Sequence, residues 1–313
     1  MINREIIRIK VLQLTYAFFQ NPSKDIDAAE RELFVSLAQA YNLYLYLLGI
    51  IPDLLKIGRR AYDLEMQRAQ RESLSVPDNR FIYNRFALQL EGNATLLQYR
   101  NNESNTWILH EEFLKKLYSQ IVNSEIYAEY LKNADDSYDA DRELWRKIYK
   151  TLVMDNPDID AIIEDKNIYW NDDKEIVDTF VLKTIKRFVE SNGDNQELLS
   201  DSMSEDDKDF ARLLFVNAVT KAEDYHSLMI NVSKNWDFTR MAYMDIIIMQ
   251  LAISEMLTFP NIPLNVTISE YVDLAKLYST SKSGKFINGM LDHIARNLIQ
   301  NKKILKQMKE PTK

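Results

Sequence analysis

The sequence predicts an all-α protein, on three observations. The 313 residues include only 6 Gly and 7 Pro, which favours long helices with few tight turns. Apolar residues recur every three or four positions in most segments, as on one face of a helix. Alternation with a period of two, which marks strands, is never sustained. Because 46% of the residues are hydrophobic, the chain can bury a sizeable core.

The first predicted helix, over residues 2–19, is apolar on almost every side. One stripe of its surface is polar and carries Arg4, Arg8 and Thr15. This pattern is typical of a buried helix whose single polar stripe is basic. The helix is expected to end at Asn21, Pro22 and Ser23.

Periodic apolar residues predict further helices, separated by polar breaks. The expected segments are 33–48, 53–72, 80–97, 107–131, 142–154 and 173–189. Residues 191–209 are polar and acidic, which indicates a linker or a loop. Two more helices are expected over 210–232 and 238–257. A capping box of Thr267 and Glu270 is then expected to open a helix that runs to about Tyr278.

The segment 238–257 is apolar on nearly all sides, so it should form a central helix. Asp245 and Glu255 interrupt the apolar pattern. Buried carboxylates persist when a cation or backbone N–H groups hold them. We therefore expect both to be paired structurally rather than to act in catalysis.

The composition excludes several kinds of chemistry. Without Cys there are no disulfides, thiol nucleophiles or cysteine metal sites. The three histidines, His110, His226 and His293, do not have the spacing of metal ligands. Glycine-rich phosphate loops and the nucleophile elbow are absent from the sequence. We expect a protein that is not an enzyme and binds no metal or cofactor.

The ends of the sequence indicate a soluble, cytoplasmic protein with no membrane association. The N-terminus mixes charged with single apolar residues and lacks the apolar block of a signal peptide. No uninterrupted apolar run approaches the roughly 20 residues needed to cross a bilayer.

Charge is distributed unevenly along the chain. The net charge is −8, and acidic residues are concentrated in the middle. Basic residues gather at both ends, in Arg4, Arg8 and Lys10 and in the stretch from Lys276 to Lys309. This asymmetry indicates a local anionic partner.

The segment 282–294, KSGKFINGMLDHI, carries the strongest functional signal. A basic, glycine-bearing loop runs into an amphipathic helix, with Lys282, Lys285 and Phe286 at the junction. Cations beside a helix N-terminus suit a phosphate, and an aromatic ring suits a base. This combination is typical of a surface that binds single-stranded RNA.

Five segments together resemble the NusB family of bacterial transcription antitermination factors. They are REIIRIKVLQLTYAFFQ at 4–20, FARLLFVNAVTKAEDYHSLM at 210–229, RMAYMDIIIMQLAISEM at 240–256, IPLNVTISEYVDLAKLY at 262–278 and KFINGMLDHI at 285–294. Their order and approximate spacing agree with the family, whereas residues 30–205 are atypical of it. The expected organisation is an N-terminal helical half with a large helical insertion over 1–205, a NusB-like half over 206–300 and a basic tail over 301–313.

The resemblance implies a NusB-like helical bundle of two packed halves and a non-catalytic role. It implies binding of boxA-type single-stranded RNA from ribosomal RNA leader transcripts, together with the small-subunit ribosomal protein NusE, in an antitermination complex on RNA polymerase. The family's RNA-binding regions fall here on Arg4, Arg8, Lys282, Lys285 and Phe286. Asn288 and Gly289 match the family motif and are expected to be structural, as a local cap and a close backbone approach.

The RNA-binding reading requires the basic residues of both ends to converge beside an exposed ring. One departure from the family stands out: Glu5 and Ile6 occupy positions where basic residues are common. RNA affinity of this arm would then be weaker, with the tail from Lys302 to Lys309 as a substitute. The alternatives are a helical protein–protein scaffold with weak or lost RNA binding, and, ranked last, an RNA methyltransferase with a NusB-like domain.

Overall fold

The computed structural model describes residues 3–200, 202–232 and 241–305. Fifteen α-helices form in these ranges, no strand occurs there, and the all-α prediction is confirmed. The helices are α1 (Arg4–Gln20), α2 (Ile26–Leu48), α3 (Ile50–Glu72), α4 (Arg85–Gly92), α5 (Ala94–Arg100), α6 (Glu111–Val122), α7 (Glu125–Lys132), α8 (Tyr138–Ile148), α9 (Pro157–Lys166), α10 (Lys174–Arg187), α11 (Glu205–Thr220), α12 (Ala222–Val232), α13 (Tyr243–Thr258), α14 (Leu264–Tyr278) and α15 (Ser283–Gln300).

Several long helices predicted from the sequence are divided in the structure by polar caps. Asn93 separates α4 from α5, and its side chain accepts a hydrogen bond from the backbone N–H of Leu96. Ser124 separates α6 from α7 in the same way, through the N–H of Tyr127. Such side chains satisfy the otherwise unpaired N–H groups of a new first turn, so they start helices inside an apolar periodic run.

By its contacts the chain divides into two compact units. The middle unit spans 38–201, and the terminal unit combines 2–37 with 202–313. The boundary expected from the sequence, at 205/206, groups the first 37 residues with the insertion. In the structure these residues belong with the C-terminal helices, because α1 packs against α11 and α13.

An aromatic cluster fills part of the core of the middle unit. The rings of Tyr46 and Trp107 stack with centroids 4.4 Å apart, and the ring of Trp170 lies 5.3 Å from that of Tyr46. The buried carboxylate of Asp53 accepts hydrogen bonds from Arg100 and from the backbone N–H of Trp107.

The middle unit contains 20 Lys and Arg against 29 Asp and Glu, so the net negative charge of the chain lies in this unit.

The central helix of the terminal unit is α13, as predicted. It is buried on nearly all sides and packs against α1, α11, α12, α14 and α15. The terminal unit contains 19 Lys and Arg against 18 Asp and Glu. The net charge of the terminal unit is therefore close to zero. A local cluster of cations on this unit is not opposed by an overall negative charge of the unit.

One helical stretch, 26–72, is long and apolar enough to cross a membrane by length and composition. This stretch was not expected from the sequence, although no charged residue lies between Glu32 and Asp53. Its apolar window is 67% buried inside the protein, as in the core helix of a soluble protein.

Candidate nucleic-acid interface

The two lysines of the predicted loop lie at the N-terminal end of α15. Lys282 immediately precedes the helix and Lys285 lies in its first turn, and both side chains are exposed. Neither forms an ion pair within the described ranges. A helix N-terminus is electropositive, so cations there raise rather than relieve the local positive potential. The first turn of α15 carries no acidic residue, and the end of this helix is therefore suited to an anion such as a phosphate.

Phe286 follows Lys285 on the next position of the helix. Its side chain is half-buried, so the ring is neither fully exposed nor enclosed in the core. The residues before it, Ser283 and Gly284, are buried. A Cβ at Gly284 would lie 3.2 Å from Cγ of Lys276, which shows how closely α14 and α15 approach here.

A buried carboxylate holds the loop that precedes α15. Asp245, in the first turn of α13, accepts hydrogen bonds from the hydroxyls of Ser279 (2.5 Å) and Ser283 (3.0 Å). These serines stand at the end of α14 and at the start of α15. Asp245 thus has a structural role, as expected, but serine hydroxyls hold it in place of the cation or backbone N–H groups that the sequence predicted. The carboxylate fixes both ends of the loop that carries Lys282.

Replacing Asp245 by alanine is expected to loosen this loop. Two charge-assisted hydrogen bonds are lost, and their serine hydroxyls lose a buried partner. Hydrogen–deuterium exchange should accelerate at residues 279–285, with amides in the middle of α14 unchanged. Exchange that stays slow in the loop would show that other contacts hold it.

Two tyrosines from different helices pair at the start of α13, the end of that helix to which this loop is bonded through Asp245. The rings of Tyr16 in α1 and Tyr243 in α13 meet edge to face with centroids 5.8 Å apart, and they are 38% and 41% exposed. Tyr243 lies two residues before Asp245, and Gln13 of α1 donates a hydrogen bond to the hydroxyl of Tyr278 at the end of α14. This pair could not be predicted from the sequence, because only tertiary packing brings α1 beside the start of α13.

Arg8 was predicted to contact RNA, but it is buried. Its guanidinium donates two hydrogen bonds to Glu255, at 2.8 and 3.0 Å, and one to Glu270 at 2.9 Å. Burial alone would lower the pKa of Arg8, but the hydrogen bonds and the charge of Glu255 outweigh it and raise the pKa. All three bonds join helices of the terminal unit. The prediction is corrected: Arg8 belongs to an internal ion-pair network, since its charged group is turned into the core.

The same network explains two other sequence expectations. Glu255 also accepts hydrogen bonds from Thr267 and Tyr271, so its expected pairing inside α13 is found.

The prediction of a capping box formed by Thr267 and Glu270 is wrong. Helix α14 starts at Leu264 after Pro263, and both residues of the supposed box lie inside it, bonded to Glu255 and Arg8.

Arg4 is exposed but lies at the other end of the unit from Lys285. Its guanidinium sits over the ring of Phe210 and 4.0 Å from Asp207, and Phe210 contacts Phe259 just beyond α13. The loop of residues 279–285, which carries Lys282 and Lys285 and is called the lysine loop below, is bonded to Asp245 at the start of α13. Fourteen residues of helical rise separate these ends, about 21 Å. The expected convergence of the basic residues of both chain ends is therefore wrong for Arg4 as well as for Arg8.

Asn288 and Gly289 do not have the structural roles expected of them. Both are exposed on α15, and the Asn288 side chain makes no hydrogen bond within the described part of the chain. A Cβ built at Gly289 would meet no described residue within 4 Å. The fold itself requires neither a cap nor a close approach at these positions.

The basic tail begins at the far end of α15. Lys302 and Lys303 are exposed there, while Lys306 and Lys309 lie outside the described residues. The length of α15, 18 residues or about 27 Å, separates this point from the lysine loop. The described residues give no support to the expectation that the tail supplies the RNA contacts in place of the N-terminal arm.

The terminal unit is thus an all-α bundle with a basic, aromatic-bordered loop. Comparison with known proteins gives its family. The model of the NusB family matches residues 174–296. Transcription antitermination protein NusB of Dictyoglomus thermophilum is 36% identical over 123 residues, which cover 39% of this chain and 83% of that protein. The protein of the same name from Geotalea uraniireducens is 36% identical over 126 residues, 40% of this chain and 85% of that protein. The chain belongs to the NusB family.

Among solved structures, T. maritima NusB matches with 28% sequence identity and a TM-score of 0.30. The match covers 40% of this chain and 87% of that one. The family match begins at Lys174, at the start of α10, which is 36 residues before Phe210, where the C-terminal part of the resemblance begins.

Proposed function

We propose that this protein is a non-catalytic transcription antitermination factor that binds boxA-type single-stranded RNA of ribosomal RNA leader transcripts. The similar proteins carry the name of transcription antitermination proteins, which supports the general role. By the same resemblance, the small-subunit ribosomal protein NusE binds alongside the RNA, and the assembly joins RNA polymerase. Such a protein acts in the cytoplasm.

One observation carries the proposal: two lysines without an ion pair in the described part of the chain lie at the positive end of α15 beside an aromatic ring. Lys282 and Lys285 supply charge for phosphates, and Phe286 supplies a ring face or edge for a base. Tyr16 and Tyr243 extend the aromatic surface close to the loop. The revised set of RNA-contacting residues is therefore Lys282, Lys285 and Phe286 with the tyrosine pair, while Arg4 and Arg8 are left out.

Few phosphate contacts are available at this surface, so binding of RNA alone should be modest and salt-sensitive. A protein partner that holds the same RNA would raise its affinity by adding a second point of attachment. The test is a titration of boxA RNA at low salt, with and without NusE, beside a scrambled RNA of equal length. Absence of binding in both cases would contradict the proposal.

Replacing Phe286 by leucine is expected to weaken RNA binding by roughly 1–3 kcal/mol, the usual value of one base stacked on an aromatic side chain. Leucine keeps most of the apolar volume, so the fold should tolerate it. Fluorescence anisotropy measures the affinity, and thermal unfolding controls for stability. Leu277→Ala, at an exposed position of α14, is the control and should leave the fold intact. Unchanged affinity of the Phe286 variant would remove the ring from the site.

The alternative function, a protein–protein scaffold with weak RNA binding, is favoured by two observations. Arg8 is committed to Glu255, and Arg4 lies away from the lysine loop, so the arm of α1 adds no cation there. The middle unit is acidic, which disfavours contact with nucleic acid over 38–201. Capture of NusE without any RNA affinity would support this alternative.

A further inference from the structure

Gly289 occupies a position that its own fold does not explain. It is the seventh residue of α15, well inside the helix, where glycine is less favourable than alanine because it loses more conformational freedom. Glycine in such a place usually makes room for a neighbouring element. Here a Cβ would meet nothing within 4 Å, so no neighbour within the described ranges needs the room. Among residues 3–200, 202–232 and 241–305, none fills the space above Gly289.

The residues around Gly289 indicate what could use this space. Lys285, four residues earlier, lies on the same face of the helix, and Asn288 is its exposed neighbour. Lys285 brings an unpaired cation, and Asn288 brings an amide without a hydrogen-bond partner in the described part of the chain. We call the surface formed by Lys285, Asn288 and Gly289 the glycine notch.

The charge at the far side of the notch is already neutralised. Asp292, the next residue on this face, is paired with Arg296 at 3.0 Å. An anionic chain anchored at Lys285 would therefore meet a paired carboxylate rather than an isolated one. Lys285, which has no ion-pair partner in the described ranges, therefore sets the sign of the charge on this face and favours an anionic partner over a basic one.

We propose that the sugar–phosphate backbone of single-stranded RNA crosses the glycine notch in van der Waals contact with Cα of Gly289. Lys285 holds a phosphate, and the Asn288 amide hydrogen-bonds to the same strand. Glycine is needed because any side chain at 289 would hold the strand away from Lys285 and from the helix surface. The inference rests on the proposed RNA binding and extends it to a surface that the sequence motif alone led us to regard as structural.

The test is a steric series at position 289, with Gly289→Ala and Gly289→Leu. Both variants should keep or raise the thermal midpoint, because Ala and Leu are better helix formers and no neighbour is crowded. Affinity for boxA RNA in the presence of NusE should fall with side-chain size, by about tenfold or more for the leucine variant. A scrambled RNA should lose affinity by a similar factor, since the contact is to the backbone.

Gln300→Leu is the matched control, because it adds the same apolar side chain at the exposed end of the same helix. Its RNA affinity should equal that of the unaltered protein. If Gly289→Leu binds RNA as well as the control does, while reversal of the charges of Lys282 and Lys285 still abolishes binding, the inference fails and the proposed function stands. If the unaltered protein binds no RNA, both fail together. A lowered thermal midpoint in Gly289→Ala would show a structural need for glycine and overturn the inference.

Discussion

Replacing Arg8 by alanine is expected to destabilise the terminal unit by about 3–5 kcal/mol, the usual cost of removing one partner of a buried ion pair. The loss leaves Glu255, which is fully buried, without its cation, close to a second carboxylate at Glu270. Because the chain contains two compact units and Arg8 lies in only one of them, the change should be measured by hydrogen exchange of the amides in α13 as well as by thermal unfolding.

The matched control is Arg4→Ala, which removes an arginine from the same helix. Arg4 is exposed, and its contact with Asp207 is 4.0 Å long, so its loss should change the free energy of unfolding by less than about 0.5 kcal/mol. The double replacement Arg8→Met with Glu255→Leu should recover part of the stability, since it removes both buried charges. An Arg8→Ala variant with unchanged stability and weakened RNA binding would restore the role predicted from the sequence.

The destabilisation by Arg8→Ala should also depend on pH. Burial raises the pKa of Glu270 above its ordinary value, while the charge of Arg8 lowers it. Without Arg8 the pKa of Glu270 should rise further. A carboxyl group whose pKa is higher in the folded than in the unfolded state stabilises the fold at low pH, and this contribution is lost as the pH rises through the folded pKa. The variant should therefore recover stability when the pH is lowered from neutral toward the acidic range.

Reversing both loop charges, with Lys282→Glu and Lys285→Glu, is expected to abolish RNA binding at low salt. Each lost charge-assisted hydrogen bond costs roughly 1.5–3 kcal/mol, and the new carboxylates repel the phosphates. The slope of log affinity against log salt, measured on any residual binding of the single variants, should become shallower by about 0.7 for each lysine. Stability should not fall, because both side chains are exposed and acidic residues suit the start of a helix.

The control for this variant reverses two charges elsewhere on the terminal unit, with Arg31→Glu and Lys221→Glu. Both residues are exposed and lie outside the lysine loop, and neither forms an ion pair within the described ranges. The two double variants have the same net charge, so a difference in RNA affinity reports position rather than overall charge. Equal loss in both would mean that long-range charge alone attracts the RNA. No loss in the loop variant would favour the scaffold.

The sequence set the helical content of this protein because helix formation depends on local spacing. Low glycine and proline content and apolar residues at helical intervals were enough to identify α13 as the central helix. The motif at 285–294 also identified the family, since side-chain order along a helix is preserved in the sequence. The predicted helices over 80–97 and 107–131 were wrong in being undivided. Asn93 and Ser124 cap new helices there, although the apolar periodicity continues across the break.

Only the tertiary structure decided whether each charged side chain is exposed or is buried in an ion pair. Arg4 and Arg8 lie one helical turn apart and look equivalent in the sequence, yet Arg4 is exposed, whereas Arg8 is buried and donates three hydrogen bonds to Glu255 and Glu270. Burial depends on which helices pack on each side of α1, and those helices lie about 200 residues later in the chain. For the same reason, the sequence could name Lys285, Asn288 and Gly289 but could not tell that no described residue packs above the glycine.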